Sequence, residues 1–171
     1  MNQQVDASEH RELGTRYDVS GFPTLKFVPK GSKDAVAYES GREVADLVAF
    51  MNEKAGLAYT ADGGLKPSYG RVAALDALVS AGGITADTVK KVQAAAGTLE
   101  AAQKKFGELY VKAAEKVAAK GAGYVDTELA RLEKMLDGGN VSPDKAAAFK
   151  LKANVLKAFK GEPASDATEE L

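Results

Sequence analysis

The 171 residues include no cysteine and one histidine, which leaves few side chains for covalent or metal chemistry. Without cysteine the chain itself forms no disulfide and no zinc–thiolate site, and it offers no thiolate nucleophile. His10 stands in a charged stretch with Glu9, Arg11 and Glu12. A metal site needs several converging ligands, so this residue reads as a solvated helical histidine and not as a ligand or a base. No metal-binding set and no catalytic constellation is expected, and no cofactor. The remaining chemistry lies in the backbone of one run, Val19-Ser20-Gly21-Phe22-Pro23-Thr24-Leu25. An X-Pro bond is where cis peptides occur, and a native cis-proline usually marks a tight, positioned turn. Gly21, two residues earlier, permits close backbone approach or unusual dihedrals. Thr24 to Val28 follows at once as a strand rich in β-branched and aromatic residues. The proline thus sits at the mouth of a strand, where its missing N–H does no harm.

The elements that must position this turn come in two styles. Up to about residue 56, helix and strand alternate. Ser8 is placed to cap a helix from Glu9 to Tyr17. Pro29-Lys30-Gly31-Ser32 is a turn signal, and Ala35 to Tyr38 a second short strand, so the two strands read as a hairpin. Gly41 breaks it. Val44, Leu47, Val48 and Met51 then recur at helical spacing between about Glu43 and Lys54, and Gly56 stops that helix. Two helices and one hairpin are too little for a stable core, because a lone hairpin is marginal and its sheet needs covering. The expectation is that further elements lie upstream.

Residues 57–63 read as a linker. Beyond Pro67 the pattern becomes all-helical. Val72, Leu75 and Val79 mark one helix, closed by Gly82-Gly83. Thr85 is placed to cap a second, running through Val89 and Val92 to Gly97. A third and longest begins near Leu99, with Ala102, Phe106, Leu109, Ala113 and Val117 at alternating three and four spacing. Glu100–Lys104 and Glu108–Lys112 are i,i+4 pairs in the favourable order, worth a few tenths of a kcal/mol each. Gly121 and Gly123 end it. A fourth helix carries Val125, Leu129, Leu132 and Leu136 up to Gly138-Gly139. Ser142-Pro143 opens a fifth, with Ala147, Leu151, Val155 and Phe159 along one face. Five short amphipathic helices with glycine stops predict a compact bundle; the heptad-like stretch lasts too few repeats for a coiled coil. Tyr69 and Tyr110 read as half-buried packing residues.

Composition narrows the class. With 45% hydrophobic and 27% charged residues and a net charge of −1, the chain reads as soluble and globular. No bulk field favours nucleic acid or an anionic membrane. Lys104, Lys105, Lys112, Lys116 and Lys120 read as a solvated face, since a nucleic-acid surface calls for interleaved aromatics and positive net charge. No apolar run approaches the roughly 20 residues that span a bilayer. The polar start, Met1 to Asp6, carries no apolar signal core. Residues 161–171 are acidic and poor in apolar side chains, which predicts disorder.

The order of these features resembles a known family. Val5-Asp6-Ala7, a helix, Tyr17 through Leu25, a hairpin, Gly41-Arg42 and a helix ending Asn52-Glu53-Lys54-Ala55-Gly56 resemble the second half of a thioredoxin-like domain of a protein disulfide isomerase. That resemblance implies that Pro23 is a cis-proline facing active-site cysteines and that Phe22, Pro23 and Thr24 bind substrate peptide. It implies that Arg42 helps set the thiol pKa. The family's Cys-X-X-Cys helix and first strands are not in these residues, so thiol exchange by this chain alone is not expected. Leu65 to Tyr69, Gln103-Lys104-Lys105-Phe106 with Tyr110, Glu128 to Leu132 and Asn154 to Phe159 resemble the C-terminal helical domain of endoplasmic reticulum protein 29 and of related fungal and plant disulfide isomerases. The expected architecture is therefore a partial α/β thioredoxin-like domain over 1–56, a linker over 57–63, an all-α domain of about five helices over 64–160 and an acidic tail over 161–171. The resemblance implies unfolded or partly folded client proteins as partners and the lumen of the endoplasmic reticulum as location. Glu169-Glu170-Leu171 is faintly like a Lys-Asp-Glu-Leu retrieval signal. Two functions stay open: the C-terminal portion of a disulfide isomerase, or a non-catalytic client-binding module.

Overall fold

A computed structural model describes residues 4–80, 83–139 and 141–166. The chain divides into two compact units, Met1–Gly63 and Gly64–Leu171.

The first unit holds α1 (Arg11–Arg16), β1 (Lys26–Phe27), β2 (Val36–Ala37) and α2 (Val44–Ala55). Helix α1 begins two residues later than the expected Glu9, because Ser8 does not cap it. The Ser8 backbone N–H donates to the Asp6 carboxylate at 2.9 Å, and its hydroxyl donates to the same oxygen. This Asx-type turn competes with helix over residues 7–9. The two hydrogen bonds from Ser8 hold the Asp6 carboxyl below the usual carboxylate range.

The hairpin forms as expected but is shorter, two residues per strand, paired antiparallel with Lys26 opposite Ala37 and Phe27 opposite Val36. A further bond, Tyr38 N–H to the Leu25 carbonyl at 3.0 Å, extends the pairing by one step. Helix α2 matches its expected span and ends on Gly56 at φ 60°, with the Gly56 N–H on the Asn52 carbonyl. Its Phe50 packs edge-on to Phe27 (centroids 6.0 Å apart) and to Tyr38 (4.9 Å), which joins helix to hairpin. The segment after α2 turns back on it: the Asn52 side-chain amide accepts from the Tyr59 N–H at 2.9 Å and donates to the Tyr59 carbonyl at 2.7 Å. No described residue of this unit is buried. Of the large apolar side chains left exposed among the described residues, all but Met135 belong to it.

The second unit is five helices: α3 (Ala73–Ser80), α4 (Ala86–Gly97), α5 (Ala101–Lys120), α6 (Gly123–Asp137) and α7 (Pro143–Ala158). Thr85 caps α4 through a reciprocal pair, its hydroxyl accepting from the Thr88 N–H at 3.2 Å while Thr88 Oγ1 accepts from the Thr85 N–H. Pro143 occupies the first turn of α7, but Ser142 makes no side-chain cap. Gly121 ends α5, whereas Gly123, expected as part of the same stop, opens α6. Gly82, expected to close α3, lies outside the described residues.

Two glycines are required by contact. A Cβ on Gly107 would stand 2.9 Å from Leu99 Cδ1 and 3.0 Å from Ala96 Cβ, so its absence lets α5 close onto the end of α4. Gly70, at φ 85°, leaves room for Leu151, whose Cδ1 would be 2.1 Å from an added Cβ.

The core contains Leu75, Val92, Tyr110, Ala114, Leu132 and Leu156, each at most 1% exposed. The burial pattern corrects two expectations. On α7 the buried residues are Asn154, Val155, Leu156 and Ala158, with Ala147, Leu151 and Phe159 only half-buried. On α5, Ala102 is exposed and Gly107, Tyr110 and Ala114 join Ala113 and Val117 inside. Helix α5 touches α3, α4, α6 and α7, and α7 touches α3, α5 and α6, so more than one face of each is covered. Of the two expected ion pairs, Glu108–Lys112 forms at 3.9 Å with both side chains exposed, and Glu100–Lys104 does not form; Asp87–Lys91 does, at 2.7 Å. No helix among the described residues is long and apolar enough to cross a membrane.

Candidate functional site

The Phe22–Pro23 peptide bond is cis. The turn is built from local sequence. Helix α1 ends at Tyr17, Asp18 takes the left-handed conformation at φ 52°, and the Val19 N–H returns to the Gly14 carbonyl at 2.8 Å. Gly21 follows, and the Thr24 hydroxyl donates to its carbonyl at 2.6 Å, closing a loop around Phe22 and Pro23. Phe22 projects to solvent, 73% exposed. Phe22, Pro23 and Thr24 therefore form one surface turn leading into β1. Arg42 lies in the loop between β2 and α2, exposed, and no hydrogen bond or ion pair joins its side chain to the turn. The same loop is braced by Tyr38, whose hydroxyl donates to the Gly41 carbonyl.

Next to this turn in the fold's logic is α2, which is apolar on two sides. Phe50 faces the hairpin. Val44, Leu47, Val48 and Met51, with Leu57 and Tyr59 from the returning segment, line an open apolar groove of about 370 Å³. Val44 is 59% and Met51 41% exposed. The one buried side-chain polar atom without a hydrogen-bond partner among the described residues, Thr60 Oγ1, belongs to a residue of this groove. The first unit thus presents an exposed aromatic on a turn and, along α2, an open apolar groove.

Two polar clusters of the second unit brace the bundle. Tyr110 on α5 is fully buried, not half-buried as expected. Its hydroxyl donates to the Asp76 carboxylate and accepts the Val72 N–H at 3.3 Å. Arg71 Nε donates to both Asp76 oxygens at 3.0 Å. Burial first, then the bond to Asp76, push the Tyr110 phenol well above its ordinary range. On the other side, Glu128 of α6 accepts from Arg131 at 2.8 Å twice and from Lys152 of α7. The Arg131 hydrogen bonds, against an opposing desolvation, hold its carboxyl down to about 2. Tyr69 is half-buried as expected, edge-on to Phe106 with Lys105 over both rings. Among the described residues no cluster of His, Asp or Glu could hold a metal ion.

Sequence reading missed Tyr110, Asn154 and Glu128 as buried polar residues. A signal existed for the first: Tyr110 continues the i,i+4 row from Phe106 to Ala114, beside the seam read through Leu109 and Ala113. Nothing in the pattern distinguished Glu128 from a solvated acid; only the approach of α7 buries it.

Comparison with known proteins yields a consistent set. Residues 70–159 match the family model described as the C-terminal domain of endoplasmic reticulum protein ERp29. Residues 2–53 match the thioredoxin model. A probable protein disulfide-isomerase A6 of Medicago sativa is 40% identical over 160 residues, which cover 91% of this chain and 44% of that protein. Protein disulfide-isomerase erp38 of Neurospora crassa is 40% identical over 171 residues, 98% of this chain and 46% of that protein. Protein disulfide-isomerase tigA of Aspergillus niger is 39% identical, covering 98% and 45%. The chain thus spans less than half the length of these relatives. No solved structure matches.

Proposed function

The chain belongs to the family of the ERp29 C-terminal domain, preceded by part of a thioredoxin domain, and from that membership we propose that it is the peptide-holding portion of a protein disulfide-isomerase of the endoplasmic reticulum lumen. The observation that carries the reading is the Phe22–Pro23 turn: a cis-proline at the mouth of an exposed hairpin, with an aromatic displayed beside it. Phe22, Pro23 and Thr24 bind the client polypeptide next to the disulfide being exchanged. The thiols that perform the exchange come from sequence outside these 171 residues, because attack on a disulfide requires a thiolate and the chain has no cysteine. Arg42, exposed and unengaged with the turn, is the residue whose charge tunes those thiols once they are beside it. The partners are unfolded or partly folded proteins, and the exposed apolar side chains of the first unit suit them.

The purified chain is expected to give no thiol-dependent insulin reduction above a no-protein control. It should still slow the aggregation of a reduced, unfolded client, and Phe22→Ala should weaken that effect. Insulin reduction by the chain alone would overturn the assignment of the chemistry to outside residues. Equal holding by the Phe22→Ala variant would overturn the role of the turn. The second reading, a client-binding module that never takes part in exchange, is favoured by the same exposed apolar groove along α2. Fusing a Cys-X-X-Cys thioredoxin half ahead of residue 1 separates the two: gain of reductase activity supports the first reading, and its absence in a folded fusion supports the second.

A further inference from the structure

The acidic tail of this chain is not loose over its first residues. Gly161, at φ 72°, turns the backbone off the end of α7. The Glu162 N–H is held by the Lys157 carbonyl at 3.2 Å, and the Glu162 carbonyl accepts from Arg71 Nη2 at 2.9 Å. Four residues on, the Asp166 carboxylate is captured at both oxygens by one residue: the Ser68 N–H reaches Oδ1 at 2.9 Å and the Ser68 hydroxyl reaches Oδ2 at 2.6 Å. The receiving loop is itself rigid. Asn154 of α7 donates to the carbonyls of Lys66 and Tyr69 at 2.9 and 3.1 Å, and the Arg71 side chain is only 7% exposed, fixed on Asp76.

The two sides of this contact differ in kind. The loop is preorganised by groups that do not depend on the tail: Asn154, Asp76 and the bundle behind them. The tail residues Pro163 to Asp166 are exposed and helix-free. The tail is joined to the loop by polar contacts, the Glu162 backbone carbonyl on Arg71 and the Asp166 carboxylate on Ser68. Charge runs the same way. Residues 64–160 carry sixteen Lys and Arg against ten Asp and Glu, whereas 161–171 carry four acids and no base. A rigid pair of donors on a positive body, covered by an exposed acidic strap, has the form of a peptide site filled by its own pseudo-ligand.

We propose that the loop 66–71 is a docking site for acidic, non-helical peptide segments, and that residues 161–166 occupy it in cis. The partner it fits is a polypeptide segment with an Asp or Glu side chain and an accessible backbone carbonyl four residues before it. Ser68 reads the carboxylate through two donors, and Arg71 reads the carbonyl. The tail competes with such a segment, so displacement of the tail accompanies binding. This inference is independent of the disulfide-isomerase reading, since it rests only on the second unit and needs no thiol.

The probe is a fluorescein-labelled peptide copying residues 160–167, titrated by fluorescence anisotropy. The chain ending at Lys160 is expected to bind it, and the intact chain to bind it at least ~10-fold more weakly because the site is already filled. Ser68→Ala in the shortened chain, or an Asp-to-Asn change at the peptide's Asp166 position, each removes a charge-assisted bond and should cost roughly tenfold. Equal binding by intact and shortened chains, or binding indifferent to both changes, overturns the proposal. If the shortened chain does not fold, full-length Asp166→Asn provides the test by hydrogen exchange and peptide titration. The Ser68 amide should exchange at least ~10-fold faster and the peptide should bind more tightly than to the unaltered chain. Unchanged protection with unchanged binding overturns it.

Discussion

Glu128 makes the stability of the bundle depend on pH in a calculable direction. The residue is 9% exposed on α6, and it joins that helix to α7 through Lys152 while Arg131 clamps both of its oxygens. Its carboxyl falls from an ordinary 4.5 to about 2, chiefly through the Arg131 hydrogen bonds. A depressed carboxylate pKa contributes stability that is complete above the unfolded value and is lost as pH falls towards the folded one. The fall corresponds to about 3 kcal/mol at neutral pH. Arg131 is half exposed, so solvent screening reduces the expected share to about 1–2 kcal/mol. Glu128→Gln should therefore destabilise the chain by about that amount at pH 7, measured as a shift in urea midpoint at constant slope. Between pH 7 and pH 3 more than half of the contribution disappears, because the unfolded carboxyl is protonated while the folded one is still ionised. The stability difference between the native chain and Glu128→Gln should narrow by about 1 kcal/mol over that interval. Other carboxylates titrate in both proteins and cancel in the difference. A difference that stays constant from pH 7 to pH 3 would refute the reasoning, since it would mean that the Arg131–Glu128–Lys152 contact does not distinguish the folded from the unfolded charge.

Four further outcomes are expected. Tyr110→Phe removes one hydroxyl that satisfies both the Asp76 carboxylate and the Val72 N–H, and should cost about 1–3 kcal/mol in a denaturant melt. Thr85→Ala removes the cap of α4 and should cost about 1 kcal/mol, read as a lowered midpoint. Gly107→Ala puts a methyl 2.9 Å from Leu99 and should lower stability by about 1–3 kcal/mol, with Leu99→Ala partly relieving it. Residues 64–160 alone should melt cooperatively by circular dichroism, whereas 1–56 alone should not, because no described residue of the first unit is buried; a sharp transition for 1–56 would contradict this.

Local sequence determined the elements of this protein closely. The five helices of the second unit, the capping Thr85, the hairpin, α2 with its Gly56 stop and the turn at Pro23 all follow from periodicity, glycine placement and turn chemistry, which act over a few residues; that the Pro23 bond is cis is implied by the family resemblance. The resemblances to a thioredoxin half and to the ERp29 C-terminal domain rest on such short runs in order, and the family comparisons agree with them. The misreadings lie where two local rules compete or where distant elements meet. Ser8 had the composition of a cap, but Asp6 two residues earlier captured it, and α1 started late.

What only the tertiary structure decided is which polar groups are inside and what they touch. Period alone places Tyr110 on the edge of a stripe and Glu128 and Asn154 on solvated faces. They are buried because α5 and α7 are each covered on more than one side, and burial then obliges each to find partners. The same holds for the tail: composition predicts that residues 161–171 are solvated, and for 161–166 the fixed donors of Ser68 and Arg71 oppose that tendency. Residues 167–171, with the retrieval-like ending, lie outside the described residues. Sequence determines elements because their rules span one or two turns of chain. Fold decides burial, charge state and site because these depend on groups about 20 to 100 residues apart, such as Glu128 with Lys152 and Ser68 with Asp166, brought within hydrogen-bond reach only by packing.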